Sequence, residues 1–315
     1  MNYYPLTFEP IFQERIWGGR RLSELFGKAL PARVPIGESW ELSDLPHGQS
    51  VVANGPLAGR TLRTLMEQFG PEITGKLDFT GPFPLLIKFL DAEDVLSVQV
   101  HPDAEACVRM GKGEPKTECW YIVAARPGAA IYNGLKRGVT REAFAKAVRS
   151  GTCADLLNRV AVEVGQCHFL PSGMCHAVGE GLVIAEIQQP SDTTYRVFDW
   201  NRTDANTGLP RQLHIEDALE SIHFDDAPIA PPTTIGRLVD APEFKVDKGH
   251  QAPGCEVLLK VGTMRVLVIL TGQGQIVAET VEPVRFSAGQ TLLIPAAYEG
   301  VMQFSQDCHY LTVTV

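Results

Sequence analysis

Between Leu96 and His101 apolar and polar residues alternate, so an extended chain would put Leu96, Val98 and Val100 on one face and Ser97, Gln99 and His101 on the other. Alternation of this kind predicts a β-strand with its apolar face on a core. Short apolar runs of the same length recur along the chain: "PLLIKFL" (84–90), "ECWYIVA" (118–124), "LVIAEIQQ" (182–189), "TTYRVFDW" (193–200), "MRVLVIL" (264–270), "TLLIPA" (291–296) and "HYLTVTV" (309–315). Glycine and proline separate them, which predicts a mainly β protein, a sandwich or barrel rather than a parallel sheet wound with helices. Helical spacing is confined to a few windows. Leu62, Leu65, Met66 and Phe69 follow Thr61 at i, i+3, i+4, i+7 and predict a helix that stops before Gly70-Pro71. Ile215, Ala218, Leu219 and Ile222 form a second stripe, and residues 140–160 read as one or two helices between strands. Such stripes are packing faces.

The proline-rich stretch after Phe224 can continue neither a helix nor a central strand. It predicts a boundary between a unit of residues 1–225, with a helical insertion around 139–160, and a unit of residues 236–315. The two units share a spacing: Gly165, Pro171, Gly173 and His176 in the first, Gly289, Pro295, Ala297 and Gly300 in the second. The spacing predicts one structural unit used twice, with the second copy degenerate and lacking the histidine.

Charge narrows the function classes. With 28 basic and 37 acidic side chains the net charge is -9, and no basic run with interleaved aromatics could track a nucleic-acid backbone. No apolar run reaches the roughly 20 residues needed to cross a bilayer, and the N-terminus lacks a basic start followed by an apolar core. The expectation is a cytoplasmic protein, monomer or homodimer, with neither nucleic acid nor membrane as partner. Seven cysteines without a CxxC pair suggest neither a disulfide framework nor a thiolate metal cage. Cys175 adjoins His176, but a reactive thiol needs a spatial partner, so a small buried residue is the default.

"GQCHFLPSGMCH" (165–176) has the form G-x5-P-x-G-x2-H and resembles the second motif of the cupin superfamily, whose histidine points into a jelly-roll barrel as a metal ligand. A wider set of segments, in order, resembles type I mannose-6-phosphate isomerase in its short bacterial form: "IWGG" (16–19), "GESWELSD" (37–44), "PLLIKFLDA" (84–92), "LSVQVHPD" (96–103), "PKTECWYIV" (115–123), "PSGMCHAVGEG" (171–181) and "TYRVFDWNR" (194–202). The resemblance implies two cupin-like jelly-roll barrels with a helical insertion, the second barrel degenerate. It also implies a small-molecule sugar phosphate as substrate, and one Zn²⁺ per chain, or another divalent transition metal, held by Gln99, His101, Glu118 and His176. His47, His168, His214, His223, His250 and His309 are left as ordinary core or surface residues.

By the same resemblance Lys116, Glu186 and Arg196 are the catalytic positions, while Ser97, Lys88 and Trp17 belong to the substrate site. Pro115 stands where the family has a histidine before the lysine. On a strand, Glu186 would share a face with Leu182, Ile184 and Gln188, an apolar setting suited to a carboxyl that carries protons. An aldose–ketose isomerase must move a proton between C1 and C2 through an enediolate, which calls for an acid/base and a holder of the developing oxyanion. Two other readings stay open from sequence: a non-catalytic sugar-phosphate sensor that keeps the cleft, and an Fe²⁺-dependent cupin oxidoreductase.

Overall fold

The computed structural model describes residues 3–203, 208–225 and 229–315. Among the described residues four larger antiparallel sheets stack in succession, with a helical layer against the first. The five-stranded outer sheet runs in the order Leu157–Ala161, Ala130–Leu135, His176–Val178, Val98–Val100, Tyr195–Phe198. The six-stranded sheet facing it contains Cys167–Leu170, Glu118–Ala125, Leu182–Gln188, Leu86–Ala92, Ile11–Gly19 and Ile36–Leu42. A second six-stranded sheet is built around Arg265–Ile269, Cys308–Thr314 and Lys245–Gln251. A four-stranded sheet including Gln273–Ala278 and Gly300–Phe304 closes the stack. The architecture is the mostly β, cupin-like one expected, although among the described residues no sheet closes on itself.

Three cores lie between successive sheets. Leu90, Trp120, Ile122, Ile131, Leu170, Val178, Leu182 and Ile184 fill the first. The opposite faces of the same strands, with Ile87, Phe89, Ala185 and Ile187, pack on Val246, Val266, Val268, Leu311 and Val313 of the second six-stranded sheet. Leu267, Ile269, Ile276, Met302 and Phe304 fill the third. Strands covered on both faces must be apolar throughout, which is why "PLLIKFL" and "MRVLVIL" read as continuous runs.

Helices Arg141–Ser150 and Ile215–Ser221 cover the outer sheet through Phe144, Val148, Ala218 and Leu219 on Val98, Val100 and Val197. The Leu62–Thr74 helix is capped by Thr61, whose side chain accepts from the Thr64 N–H at 3.2 Å. It does not stop before Pro71. Phe69 leaves helical geometry (φ -136°, ψ 23°), and the kink lets proline open a second helical segment where its missing N–H costs little. Leu96 does not share a face with Val98 and Val100 as the alternation predicts: the strand begins at Val98, and Leu96 joins Trp17 and Trp120 in the first core while Val98 and Val100 face the helices.

The repeated spacing recurs as structure. Each copy spans a strand, a turn and a second strand, Cys167–Leu170 to His176–Val178 and Thr291–Ile294 to Gly300–Phe304. Where His176 stands in the first, a side chain at Gly300 would collide with the Tyr298 hydroxyl and the Val277 carbonyl. The buried Tyr298 ring takes the room a ligand would need.

Candidate metal centre and cleft

Register brings the polar residues of the first two sheets to one end of their shared core. Arg196 pairs with Gln99 and Gln99 with His176 across the outer sheet. Trp120 pairs with Glu186 and Glu186 with Lys88 across the facing sheet. Directly opposed residues share a face, so both rows point inward.

His101, Glu118 and His176 meet with their ligand atoms all within 4.8 Å of one another, each at most 1% exposed. His101 Nε2 lies 3.4 Å from one carboxylate oxygen of Glu118 and His176 Nε2 3.5 Å from the other. The far nitrogens are tied to backbone carbonyls: His101 Nδ1 to Thr193 at 2.8 Å and His176 Nδ1 to Met174 at 2.9 Å. Each Nδ1 therefore carries the proton, and each Nε2 presents its lone pair to the carboxylate. Burial, and then Lys116, pushes His101 down to about 4. Burial likewise lowers His176. Burial works to raise Glu118, but Lys116 and His101 hold it well below the usual carboxylate range. Near neutral pH the cluster is thus two neutral imidazoles and a carboxylate, the state in which these groups ligate metals.

His101 Nε2 and both Glu118 carboxylate oxygens are buried without a hydrogen-bond partner. Orphaned atoms of this kind are costly unless something satisfies them, and two nitrogens with a carboxylate form a fitting donor set for a divalent metal ion. Gln99 reaches the rim differently from the expectation. Its amide nitrogen lies 3.5 Å from His176 Nε2, and its oxygen accepts from Ser97 Oγ at 3.2 Å. The His176 lone pair attracts an N–H, and a half-turn of the amide would present the oxygen instead.

Beside the cluster opens a cleft of about 450 Å³ lined by Trp17, Lys88, Ser97, Gln99, Lys116, Glu186 and Arg196. Every expected substrate-site and proton-transfer position is therefore gathered at one place. The surroundings of Glu186 are not apolar: Trp120 Nε1 donates to it at 2.9 Å and Lys88 Nζ lies 3.2 Å away. Burial disfavours the Lys88 ammonium, but Glu186 and Glu38 hold it above its ordinary value. Lys116 Nζ sits 3.5 Å from Glu118, and Arg196 Nε donates to Ser97 Oγ at 3.1 Å. Cys175 belongs to the other face, among the residues under the helices, and burial pushes its thiol well up.

A family model described as phosphomannose isomerase type I, catalytic domain, matches residues 6–117. The mannose-6-phosphate isomerase ManA of Bacillus subtilis is 37% identical, the match covering 94% of each chain. The chain belongs to the type I phosphomannose isomerases. A mannose-6-phosphate isomerase of Streptococcus mutans is 36% identical with 96% of each chain covered. The crystal structure of the mannose 6-phosphate isomerase from Bacillus subtilis superposes with a TM-score of 0.88 at 29% identity, covering 99% of this chain and 100% of that one.

In this phosphomannose isomerase chain the cleft also holds residues that sequence reasoning missed. Glu38 accepts from Trp40 Nε1 at 2.6 Å and Arg15 Nε at 2.7 Å. Burial works to raise it, but Lys88 and Arg15 take it down to about 2. Arg211, Asp192 and His214 line the mouth, Arg211 held by Asp199. Glu38 lies inside the matched "GESWELSD" segment, a signal that was available. Arg211 lies in no matched segment. Among the other histidines, His47 pairs with Asp192 at 3.2 Å, His168 with Gln166 at 3.2 Å and His223 with Asp103 at 2.7 Å.

Proposed function

We propose that this chain interconverts mannose 6-phosphate and fructose 6-phosphate. In this reading His101, Glu118 and His176, joined by Gln99 after the half-turn of its amide, hold one divalent metal, zinc by the balance of nitrogen and oxygen donors. When bound, the metal supplies a positive centre that lowers the cost of negative charge on the sugar oxygens at C1 and C2. Glu186 carries the proton between these carbons. Lys88 lies 3.2 Å from that carboxylate, and the Trp120 hydrogen bond fixes its direction. Lys116 beside Glu118 and Arg196 at the rim offset the charge of an enediolate, while Arg196 and Ser97 receive the phosphate. Trp17 forms a wall that excludes water.

The three orphaned ligand atoms beside a paired carboxylate and ammonium carry this reading. Within it residues 1–225 form the catalytic unit and 236–315 a cupin-like unit without ligands at the matching place. No helix among the described residues is long and apolar enough to cross a membrane, and the cytoplasm, where sugar phosphates are handled, is the proposed location. Proton NMR of mannose 6-phosphate in D2O tests the function: fructose 6-phosphate and deuterium at the exchanged carbon should appear with the metal-loaded chain and stop with chelator. Tight sugar-phosphate binding without exchange would assign a sensor instead, and oxygen uptake an oxidoreductase. Full activity in metal-free His176→Ala would sink the mechanism.

A further inference from the structure

The C-terminal half carries a second convergence of ligating side chains. His250 and His309 are directly opposed on the paired strands Lys245–Gln251 and Cys308–Thr314. Their rings lie face to face, with centroids 4.1 Å apart and planes within 5°. Asp307 reaches both: one oxygen lies 2.8 Å from His250 Nε2, and the other 3.7 Å from His309 Nε2. The three ligand atoms lie within 4.8 Å of one another.

The backbone fixes this arrangement. The His309 N–H donates to Thr271 Oγ1 at 3.1 Å, and the His309 carbonyl accepts from the N–H groups of Leu270 and Thr271. One hydrogen bond to Asp307 accounts for His250, but 3.7 Å is too long for one to His309. Burial, and then His250, lower the His309 imidazole from its ordinary value. Two imidazoles and a carboxylate, partly open to solvent, are the donors borderline divalent metals prefer, with water filling the remaining positions.

We propose that His250, Asp307 and His309 form a second site, for a divalent transition metal, that clips together two central strands of the C-terminal six-stranded sheet. The site shares no residue with the catalytic cluster, so it stands apart from the proposed reaction. Its occupancy adds stability in proportion to free metal, because the unfolded chain cannot present the three groups together.

Equilibrium dialysis of the full chain against micromolar Zn²⁺, followed by elemental analysis, tests it. The parent chain should hold two zinc ions. His250→Gln/His309→Gln should hold one while keeping its isomerase turnover, and His101→Ala/His176→Ala should also hold one. Should the histidine pair variant fail to fold, Asp307→Asn serves, with weaker uptake of the second ion expected. In Co²⁺-loaded protein, paramagnetically shifted imidazole protons assigned to His250 and His309 give a readout free of activity. A single zinc in the parent that His250→Gln/His309→Gln retains, or two retained in that variant, would overturn the proposal.

Discussion

Lys88 stands between two buried carboxylates, Glu186 at 3.2 Å and Glu38 at 3.7 Å, with the Trp40 ring 5.4 Å from its ammonium. Removing its charge strands two anions out of water, so Lys88→Met should destabilise the fold by about 3–5 kcal/mol, as for other broken buried ion pairs, read from urea denaturation. Glu186→Gln keeps the shape and the Trp120 contact but cannot take a proton. It is expected to lower kcat by about 10²–10⁴-fold with KM little changed, which steady-state kinetics would check. Loss confined to KM would make Glu186 a binding residue. His101, Glu118 and His176 were legible as motif members, because the side-chain types that can ligate a metal are written in the sequence itself. The pairing of Lys88 with Glu186 was not, because it follows from strand register, and an apolar-looking face in sequence became an ion pair once the neighbouring strand was beside it.

At the scale of single elements, buried titratable groups give opposite pH signatures. His168, on the Cys167–Leu170 strand, is pushed down to about 4 by burial. The unfolded chain takes up that proton below about 6.5, so the stability His168 contributes is complete above that pH and lost as pH falls toward 4. His168→Gln should therefore show a smaller drop in urea midpoint between neutral and mildly acidic buffer. Asp91 behaves inversely. Burial, only partly offset by the Arg21 N–H at 2.7 Å, raises it to about 6. Its contribution is complete below its unfolded value of about 3.9 and lost as pH rises through 6. Asp91→Asn should raise the urea midpoint at pH 8 and leave it nearly unchanged at low pH; equal effects at both would refute this assignment. Element types were largely legible, since apolar runs and caps are local. The helix through Pro71 was not, because the kink at Phe69 is held by surroundings distant in sequence.

Across the whole molecule, the sheet that carries Glu118 and Glu186 is also one wall of the core shared with the C-terminal half. Ile87, Phe89, Ala185 and Ile187 pack on Val246, Val266, Val268 and Val313. The chain's own start crosses over too, since Leu6–Thr7 pairs with Thr291–Ile294. A chain cut after residue 235 would expose that apolar wall, and it is expected to aggregate on expression rather than fold as a free catalytic unit; light scattering would show this. The spacing repeated between the halves was visible in sequence, but the core joining them was not, because apolar residues facing two ways look alike on paper.

His101, Glu118 and His176 are expected to hold a metal together with Gln99. Anomalous diffraction at the zinc edge from crystals of the zinc-loaded chain is the decisive measurement. A peak within bonding reach of His101 Nε2, His176 Nε2 and the Glu118 carboxylate, with the Gln99 amide oxygen turned toward it, is the predicted result; density without anomalous signal among these side chains would contradict it.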